Sequence, residues 1–433
     1  MAVFGTGSAQ AEKEAVRAAT AADDAEPPPP YSPIDDDHPC ATVSRPAPEY
    51  ADLAAPTVLH PRPGVVVVTN ELAPTRALYL HADKVHSSSL IVESDHGPSA
   101  NGMILLRVEF SGGGSDIKDQ CDVSMAANAS GEYEIHAFCR RSSAKVECRF
   151  IVQIPAKAPV VHPGIRAVLS KGHIGVGGLA NVSFGHIDLQ TDRASVSLSH
   201  VCSGAITVRS SHDAIDVASI DCQGALFLET HSGHISVTDV SCRNLHATTT
   251  DKPITLQSCA SDVVFASTTH CKLQCRGAVS KVMRLQTTNY HIEADGVDAG
   301  SLRMSTTNAR VYGTWNVRDL LDVSTTNAKI MADIGLPEPG LPVSITLTTT
   351  NAAIEARLKR SAFSGRFDLK TTNGAAQLLC DGDGEGSDGA LPLRYVVNTK
   401  SYVRGSHGAG DKLRHELAAK TTNAKVHVAL TED

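Results

Sequence analysis

The chain has 433 residues, of which 42% are apolar, 20% charged and 4% aromatic. So few aromatic rings disfavour a sugar-stacking groove or an aromatic platform for nucleic-acid bases. Residues 1–60 contain ten acidic and three basic residues, so -7 of the formal charge of -8 lies there and the remainder is nearly neutral. This argues against nucleic acid as a partner, because phosphate binding needs concentrated Lys and Arg.

The N-terminus and the cysteines bear on the compartment. No uninterrupted apolar region of signal-peptide length follows Met1, and no stretch approaches the 18 apolar residues that indicate a membrane-spanning helix. The eleven Cys are an odd number without the short spacings of a disulfide framework, which favours reduced thiols. We therefore expect a cytoplasmic protein with no membrane partner and no cofactor.

Residues 1–60 form the first segment. They hold nine of the 21 prolines and the acidic run Asp35–Asp37 but few large apolar residues, so they cannot bury enough surface to offset the entropy of ordering. We predict a disordered, acidic, Pro-rich tail. Within it, Pro28, Pro29, Pro30 and Tyr31 match the PPxY ligand of WW domains, which dock polyproline II helices. The alternative for this motif is a solvated linker.

Residues 61–163 change to short β-type runs separated by Gly, Pro, Asn and Ser. The runs are Val65–Val68, Ala77–His81, Leu90–Glu93, Met103–Phe110, Tyr133–Phe138 and Val146–Ile154. We predict a β-rich N-terminal segment that caps one end of the domain that follows.

From residue 164 to 433 the sequence repeats. Thr-Thr-Asn ends at Asn289, Asn308, Asn327, Asn351, Asn373 and Asn423, and variant triplets continue the 19–20-residue period backwards through His270, Asp251, Ser232, His212, Arg193 and Lys171. We call the last residue of each triplet the turn residue. The twelve turn residues thus follow one repeat pattern, and a repeat of about 20 residues is typical of a stacked repeat protein.

Apolar side chains recur at fixed offsets from each turn residue. Six positions before it stand residues such as Leu245, Val264 and Met283, and three positions after it stand Ile254 and Leu273. Alternation with a period of two on both sides indicates a strand, a corner and a second strand. We predict an all-β fold, a right-handed parallel β-solenoid of about 12 rungs, with handedness from the rule for parallel crossovers.

The Thr-Thr-Asn corner has a structural explanation. Stacked Asn side chains can hydrogen-bond to the rungs above and below, and Asn tolerates the left-handed conformation that a corner often needs. We therefore expect the six Asn to form a turn ladder. The alternative is that the Thr and Asn columns present a binding face, as ice-binding surfaces do.

Longer intervals between turn residues mark insertions, including an acidic loop at 381–390. Asp381, Asp383 and Glu385 resemble the opening of a calcium loop, but position 12 is Pro392 in place of the bidentate Glu. We therefore interpret the segment as an acidic insertion. One irregular rung is predicted near Tyr395–Val403.

Cysteine and histidine columns are candidate chemical sites. Cys202, Cys222 and Cys242 should form one column on successive rungs, close enough for a disulfide, although a reduced buried column fits better. A second set, His270, Cys271 and Cys275, supplies three of the four ligands that a zinc site needs. His173, His234 and His291 share one offset but lie three rungs apart. We predict no metal site.

The repeated Thr-Thr-Asn-Ala-x-Ile corners from about residue 165 to the end resemble the putative-adhesin β-solenoid domains. That resemblance implies a stacked β-solenoid with no assigned reaction and no catalytic residues. We expect a non-catalytic scaffold or adhesin-like interaction protein in which self-association through open ends is a hazard. The alternative is a carbohydrate-active β-helix enzyme, a lyase or glycosidase, which would need paired carboxylates. Asp188, Asp216, Glu293 and Glu355 do not line up as such a pair.

Overall fold

A computed structural model of the chain describes residues 56–431. Segments left out within that range are 63, 96–101, 113–116, 129–130, 141–144, 156–159, 180–181, 338–340, 381–392 and 409–413. The Pro28–Tyr31 motif and the acidic loop at 381–390 lie outside the described residues, as does most of the predicted tail.

The described chain is nearly all β. Its first part contains β1 (Thr57–Arg62), β2 (Val65–Leu72), β3 (Leu78–Asp83), β4 (Ser87–Asp95), β5 (Ile104–Gly112), the short helix α1 (Ile117–Gln120), β6 (Cys121–Ala127), β7 (Tyr133–Cys139), β8 (Val146–Pro155) and β9 (Val160–Gly177). Each of the six predicted β-type runs lies wholly or mostly in a strand. β6 was not predicted.

The repeat region contains the remaining strands. They are β10 (Val182–Ser210), β11 (Ile215–Thr230), β12 (Ile235–Thr248), β13 (Ile254–Ser267), β14 (Leu273–Arg276), β15 (Val279–Gln286), β16 (Ile292–Thr306), β17 (Val311–Thr325), β18 (Ile330–Gly335), β19 (Ser344–Thr348), β20 (Ile354–Lys359), β21 (Gly365–Thr371), β22 (Ala376–Cys380), β23 (Leu393–Asn398), β24 (Tyr402–His407), β25 (His415–Thr421) and β26 (Val426–Thr431).

The strands from β9 to β20 stack in parallel, each against the next repeat of the chain. Ile235 pairs with Ile254, Ile254 with Leu273, and Leu273 with Ile292. We call one such repeat a layer. Parallel pairing in the predicted register confirms the solenoid, because a slip by one residue would turn every apolar side chain outward.

The core is formed by the two predicted apolar columns. Side chains six before and three after the turn residue are all buried in the layers from residue 187 onward; they include Ile187, Ile206, Leu226, Leu245, Val264, Met283, Leu302, Leu321, Ile345, Phe367 and Leu417, then Val196, Ile215, Ile235, Ile254, Leu273, Ile292, Val311, Ile330, Ile354 and Val426. Stacking the layers therefore removes from water the apolar side that a single layer cannot cover.

The left-handed residues lie at a different corner from the predicted one. His200, Ser219, Asp239 and Ser258 have φ between 52° and 54°, and each stands seven positions after a turn residue. None of the six Asn of the Thr-Thr-Asn corners has a positive φ. The prediction that Asn provides the left-handed conformation is therefore wrong, because the sharp bend falls at the next corner of the layer.

The last layers are not stacked in sequence order. β25 pairs with β19 on one side and with β21 on the other, and β26 lies in the same way between β20 and β22. The layer of Asn423 is therefore inserted between those of Asn351 and Asn373. The irregular rung predicted near Tyr395–Val403 is wrong: β23 and β24 form an antiparallel hairpin that covers the edge of β21.

The first layers show the same kind of insertion. β3 and β4 pair in parallel with β9, and β7 and β8 pair in parallel with β3 and β4. Two layers therefore precede the twelve that the turn residues predicted. β6 and β5 then run antiparallel to β7 and β8. The predicted tail also ends too late, since residues 57–60 belong to β1, which pairs antiparallel with β2.

Candidate functional site

The two Thr of each corner have different environments. The first is buried, and its hydroxyl donates to a carbonyl of the neighbouring layer: Thr287 Oγ1 to Cys271 O at 3.1 Å, and Thr306 Oγ1 to Tyr290 O at 3.2 Å. The second Thr is exposed, as in Thr288 and Thr307. The first Thr therefore fixes the corner by satisfying a backbone acceptor, while the second is free to face solvent.

The structure brings the six predicted Asn together in one exposed line, the Asn ladder. In each step an amide Nδ2 donates to the Oδ1 of the adjacent layer at 2.7–2.9 Å, in the order Asn289, Asn308, Asn327, Asn351, Asn423 and Asn373. Each amide can form further hydrogen bonds outward, because it has two donors and two acceptor lone pairs.

Acid–base pairs continue this line in the earlier layers. His212 Nδ1 lies 3.2 Å from an Asp192 oxygen, and His270 Nδ1 lies 3.1 Å from an Asp251 oxygen. Ser232 Oγ donates to the second oxygen of Asp251 at 3.4 Å. The turn residues and their neighbours therefore form a continuous polar edge, which we call the turn edge.

A column of mostly basic residues lies beside the Asn ladder, two positions after the turn residue. Backbone hydrogen bonds fix its register: Leu273 N–H donates to His291 O, Ile292 N–H to Arg310 O, and Val311 N–H to Lys329 O of the next layer. The column, here called the basic column, consists of Lys272, His291, Arg310, Lys329 and Lys425, with Ala353 between the last two.

The electrostatics of the basic column reflect its crowding. Burial lowers the pKa of His291, and the neighbouring Arg310 and Lys272 lower it further. The Arg310 guanidinium lies 5.9 Å from the centre of the Tyr312 ring, and Lys329 Nζ lies 2.6 Å from a Glu355 oxygen. The column thus keeps a positive character that is partly balanced at Lys329.

A groove of about 410 Å³ runs between the Asn ladder and the basic column. Its lining includes Asn289, Asn308, Arg310, Lys329 and Tyr290, whose ring is 48% exposed. The groove therefore combines amides, cations and one accessible aromatic ring. Such a set can bind hydroxyl groups, anionic groups and one apolar ring face.

A larger groove of about 830 Å³ covers the earlier part of the turn edge. Asp83, Asp192, Arg209, Glu229 and His231 are among the residues that line it. Arg209 and Glu229 are ion-paired at 3.6 Å. This groove collects three carboxylates, Asp83, Asp192 and Glu229, none of which is among the four acidic residues considered in the sequence.

Three stacked rings lie on the same outer face as Arg209. The Phe227, His246 and Phe265 rings are 4.7 Å apart with interplanar angles of 8° and 17°, and Arg209 lies 5.4 Å from the Phe227 ring. Because each ring covers the face of the next, the stack offers ring edges rather than faces to solvent.

The structure separates the predicted cysteine column. Cys222 pairs with Cys242 as expected, but Cys202 pairs with Asp221, and Ser203 takes the place opposite Cys222. The three-residue column is therefore wrong, because these two layers pair at an offset of 19 residues as far as Ser203, whereas Cys202 and Cys222 are 20 residues apart. All ten described cysteines are free thiols.

The other candidate residues are spread apart. Cys275 is fully buried in the core, while His270 contacts Asp251 at the surface. His173 Nδ1 lies 2.9 Å from Ser195 Oγ, and His234 Nε2 lies 3.3 Å from an Asp216 oxygen. Within the described part of the chain, no group of three or more His, Cys, Asp or Glu side chains could hold a metal ion. In the same part, no helix is long and apolar enough to cross a membrane.

The basic column was missed at the sequence level. The charges of the repeat region nearly cancel, so its net charge gives no sign of a basic column. The signal was nevertheless present, since Lys272, His291, Arg310 and Lys329 follow four successive turn residues by two positions. Comparing charges at a fixed offset would have found it.

Comparisons with known proteins give coarse likenesses. No family model matches the chain, and no curated protein matches it. A solved structure of a putative cell adhesion protein from Clostridium sporogenes aligns over 84% of this chain and 98% of its own, with 7% identity and a TM-score of 0.15. A putative adhesin from Bacteroides fragilis aligns over 85% and 98%, with 9% identity and a TM-score of 0.20.

Proposed function

We propose that the protein is a non-catalytic, adhesin-like interaction protein whose Asn ladder and basic column bind a linear acidic polysaccharide. One observation carries this proposal: amides repeat on six consecutive layers along one edge, and Arg310, Lys329 and Lys425 stand beside them at one fixed offset. A polymer whose acidic groups and hydroxyls also repeat can contact several layers at once. No single layer then needs a deep pocket.

Charge spacing supports a polyanionic ligand. Adjacent layers are about 4.8 Å apart, which is less than the Debye length of about 8 Å at physiological ionic strength. The potentials of Arg310 and Lys329, which lie on adjacent layers, therefore add along the edge, while Lys272 lies two layers from Arg310, about 10 Å away. A polyanion that neutralises them releases its condensed counterions, so its affinity should fall steeply with salt.

The neighbouring side chains favour a polysaccharide over a nucleic acid. The Asn ladder offers donors and acceptors that suit hydroxyl groups. A single-stranded nucleic acid is usually held by several rings on which successive bases stack, whereas the groove has one accessible ring, Tyr290. A single-stranded oligonucleotide is therefore included as the competing ligand in the binding experiment.

The experiment measures binding of polygalacturonate, dextran sulfate and a single-stranded oligonucleotide to the full chain at several salt concentrations. Lys272→Ser with Arg310→Ser should weaken polygalacturonate binding about tenfold or more and reduce the salt slope by roughly two. The matched control is Arg284→Ser with Arg303→Ser. These two residues are register partners on β15 and β16 outside the basic column, so the control removes the same charge elsewhere. Equal loss in both variants, or tighter binding of the oligonucleotide, would contradict the proposal.

A glycosidase or lyase is the second candidate, favoured by the three carboxylates of the larger groove. Asp192 and Glu229 lie two layers apart, about 10 Å along the stack, close to the upper end of the separation in inverting glycosidases. Release of reducing ends or unsaturated products from polygalacturonate, abolished by Asp192→Asn with Glu229→Gln, would establish this activity. We expect no turnover by the wild type or by the Asp192→Asn with Glu229→Gln variant.

A WW-domain partner is a separate proposal that rests on Pro28–Tyr31 alone. Pull-down with purified WW domains should recover the full chain, and Tyr31→Ala should abolish recovery. Pro33→Ala lies outside the four-residue motif and is the matched control. Equal recovery of the wild type and the Tyr31 variant would end this proposal.

A further inference from the structure

Two buried cysteines face each other at the N-terminal end of the stack. Cys121 and Cys139 are directly opposed residues of the antiparallel pair β6 and β7, and their Sγ atoms are 2.9 Å apart. Cys139 is fully buried and Cys121 is 9% exposed. Directly opposed residues of antiparallel strands have Cα atoms about 4.5–5.5 Å apart, within the separation that a disulfide spans.

We propose that Cys121 and Cys139 form a cross-strand disulfide when the protein folds in an oxidising compartment. The bond ties β6 to β7 at the end of the stack. This inference is independent of the proposed polysaccharide binding, because the pair lies on other strands than the Asn ladder and the basic column.

The oxidant required is a low-molecular-weight disulfide, such as oxidised glutathione. The Cys121 thiolate attacks one sulfur of the oxidant, forming a mixed disulfide and releasing one thiolate. The Cys139 thiolate then attacks the Cys121 sulfur of that mixed disulfide and releases the second. Two protein thiols become one disulfide, and the two protons they lose end on the two released thiols.

Burial bears on when this reaction occurs. It raises the pKa of both thiols in the folded protein, so little of the reactive thiolate is present there at neutral pH. We therefore expect the bond to form while the chain folds and both thiols are still accessible. Once formed, the buried bond is shielded from reductants in the native state, so the reduced protein is prepared by refolding in dithiothreitol.

The remaining cysteine pair of the core has a different arrangement. Cys222 and Cys242 are register partners on parallel strands, but Cys222 Sγ donates to Ala225 O at 3.4 Å and Cys242 Sγ to Ser261 Oγ at 3.6 Å. Each of these thiols is thus directed to its own acceptor. This pair is the matched control, because it has similar burial and no sulfur–sulfur contact in the structure.

The bond would matter most for β6. Among the described strands β6 pairs with β7, so it lies at an end of the sheet, where backbone hydrogen bonds are most readily lost. The two cysteines are 18 residues apart, and closing a loop of that length restricts the unfolded chain. The thermal midpoint should therefore be several degrees higher in the oxidised protein.

The test refolds the full chain in glutathione buffers of increasing oxidising strength. Free thiols are blocked with N-ethylmaleimide under denaturing conditions, and peptides are mapped by mass spectrometry. We expect a Cys121–Cys139 linked peptide, with Cys222 and Cys242 alkylated. Alkylation of both Cys121 and Cys139 in excess oxidised glutathione, or a link from either to Cys148, would overturn the proposal.

Thermal unfolding with and without dithiothreitol gives the second readout. Reductant should lower the midpoint of the wild type and leave that of Cys121→Ser with Cys139→Ser unchanged. Cys222→Ala with Cys242→Ala should keep the response of the wild type. If reductant lowers the midpoint of the Cys121 and Cys139 variant as much as that of the wild type, the stabilising bond is elsewhere and the proposal fails.

Discussion

His162 shows what burial does to a titratable residue of the first layers. Its ring is fully buried, Nδ1 accepts a hydrogen bond from the Gly164 N–H at 3.1 Å, and the ring packs at 5.6 Å from that of Phe184. Burial lowers the pKa of His162 to about 4, and the nearby His186 contributes to the decrease. The neutral ring is therefore the form that the folded protein accommodates.

The resulting prediction concerns acid stability. The pKa of His162 is lower in the folded than in the unfolded chain. The neutral ring therefore contributes to the free energy of unfolding above about pH 6.5, and this contribution is lost as pH falls toward 4. The difference corresponds to about 3 kcal/mol of unfolding free energy. Urea unfolding at pH 7 and pH 4 measures this. From pH 7 to pH 4 the unfolding free energy of His162→Phe should fall by about 3 kcal/mol less than that of the wild type.

The control for this prediction is His86→Gln, because His86 is exposed in the loop before β4. It should lose as much stability as the wild type between the two pH values. If His162→Phe and the wild type lose the same free energy, proton uptake by this ring does not determine the acid sensitivity.

At the scale of the element, the sequence predicted which residues form a layer but not which layers are neighbours. The triplets ending at Asn351, Asn373 and Asn423 have the same corner and the same flanking apolar positions. Each layer therefore presents a compatible edge to any other, and local periodicity cannot rank the pairings. The long interval between Asn373 and Asn423 allows the chain to return and insert its last layer.

The candidate site was predicted in part for the same reason. The Asn ladder follows from one side-chain type at one offset, so the repeat was enough to place it. The larger groove also needs Asp83 from β3, and only the inserted position of β3 beside β9 brings that residue to the turn edge. Non-local pairing of this kind leaves no periodic signal in the sequence.

Hydrogen exchange distinguishes the observed order from stacking in sequence order. β25 lies between β19 and β21, so the amides of residues 417–420 should exchange as slowly as those of β17, although they are near the C-terminus. β22 pairs with β26 and should exchange faster. Peptide-resolved exchange measured by mass spectrometry that shows β22 slow and β25 fast would indicate that the layers follow the sequence.

At the scale of the whole described stack, both ends carry strands that break the parallel pattern. β5 and β6 run antiparallel at one end, and the hairpin of β23 and β24 covers β21 at the other. An uncovered parallel edge would offer unpaired backbone groups to a second copy. Antiparallel strands replace the next layer along part of each end, and there they work against the self-association that open ends would favour; among the described strands β22 pairs with β26 alone.

Gly405 tests this role of the hairpin. It lies in β24 opposite Phe367 of β21, and a Cβ at this position would come 2.6 Å from the Phe367 ring and would also meet the Arg394 carbonyl. Gly405→Val should therefore separate the hairpin from β21 at a cost of about 1–3 kcal/mol. The exposed edge should pair with other copies.

Light scattering coupled to size-exclusion chromatography measures the outcome. Gly405→Val should show concentration-dependent assemblies larger than the wild-type species. Ser406→Val, whose side chain points to the other face of the same strand, should elute as the wild type does, because alternate residues of a strand face opposite sides. A Gly405→Val protein with the wild-type mass and a lowered thermal midpoint would mean that the hairpin stabilises the end of the stack without preventing its association.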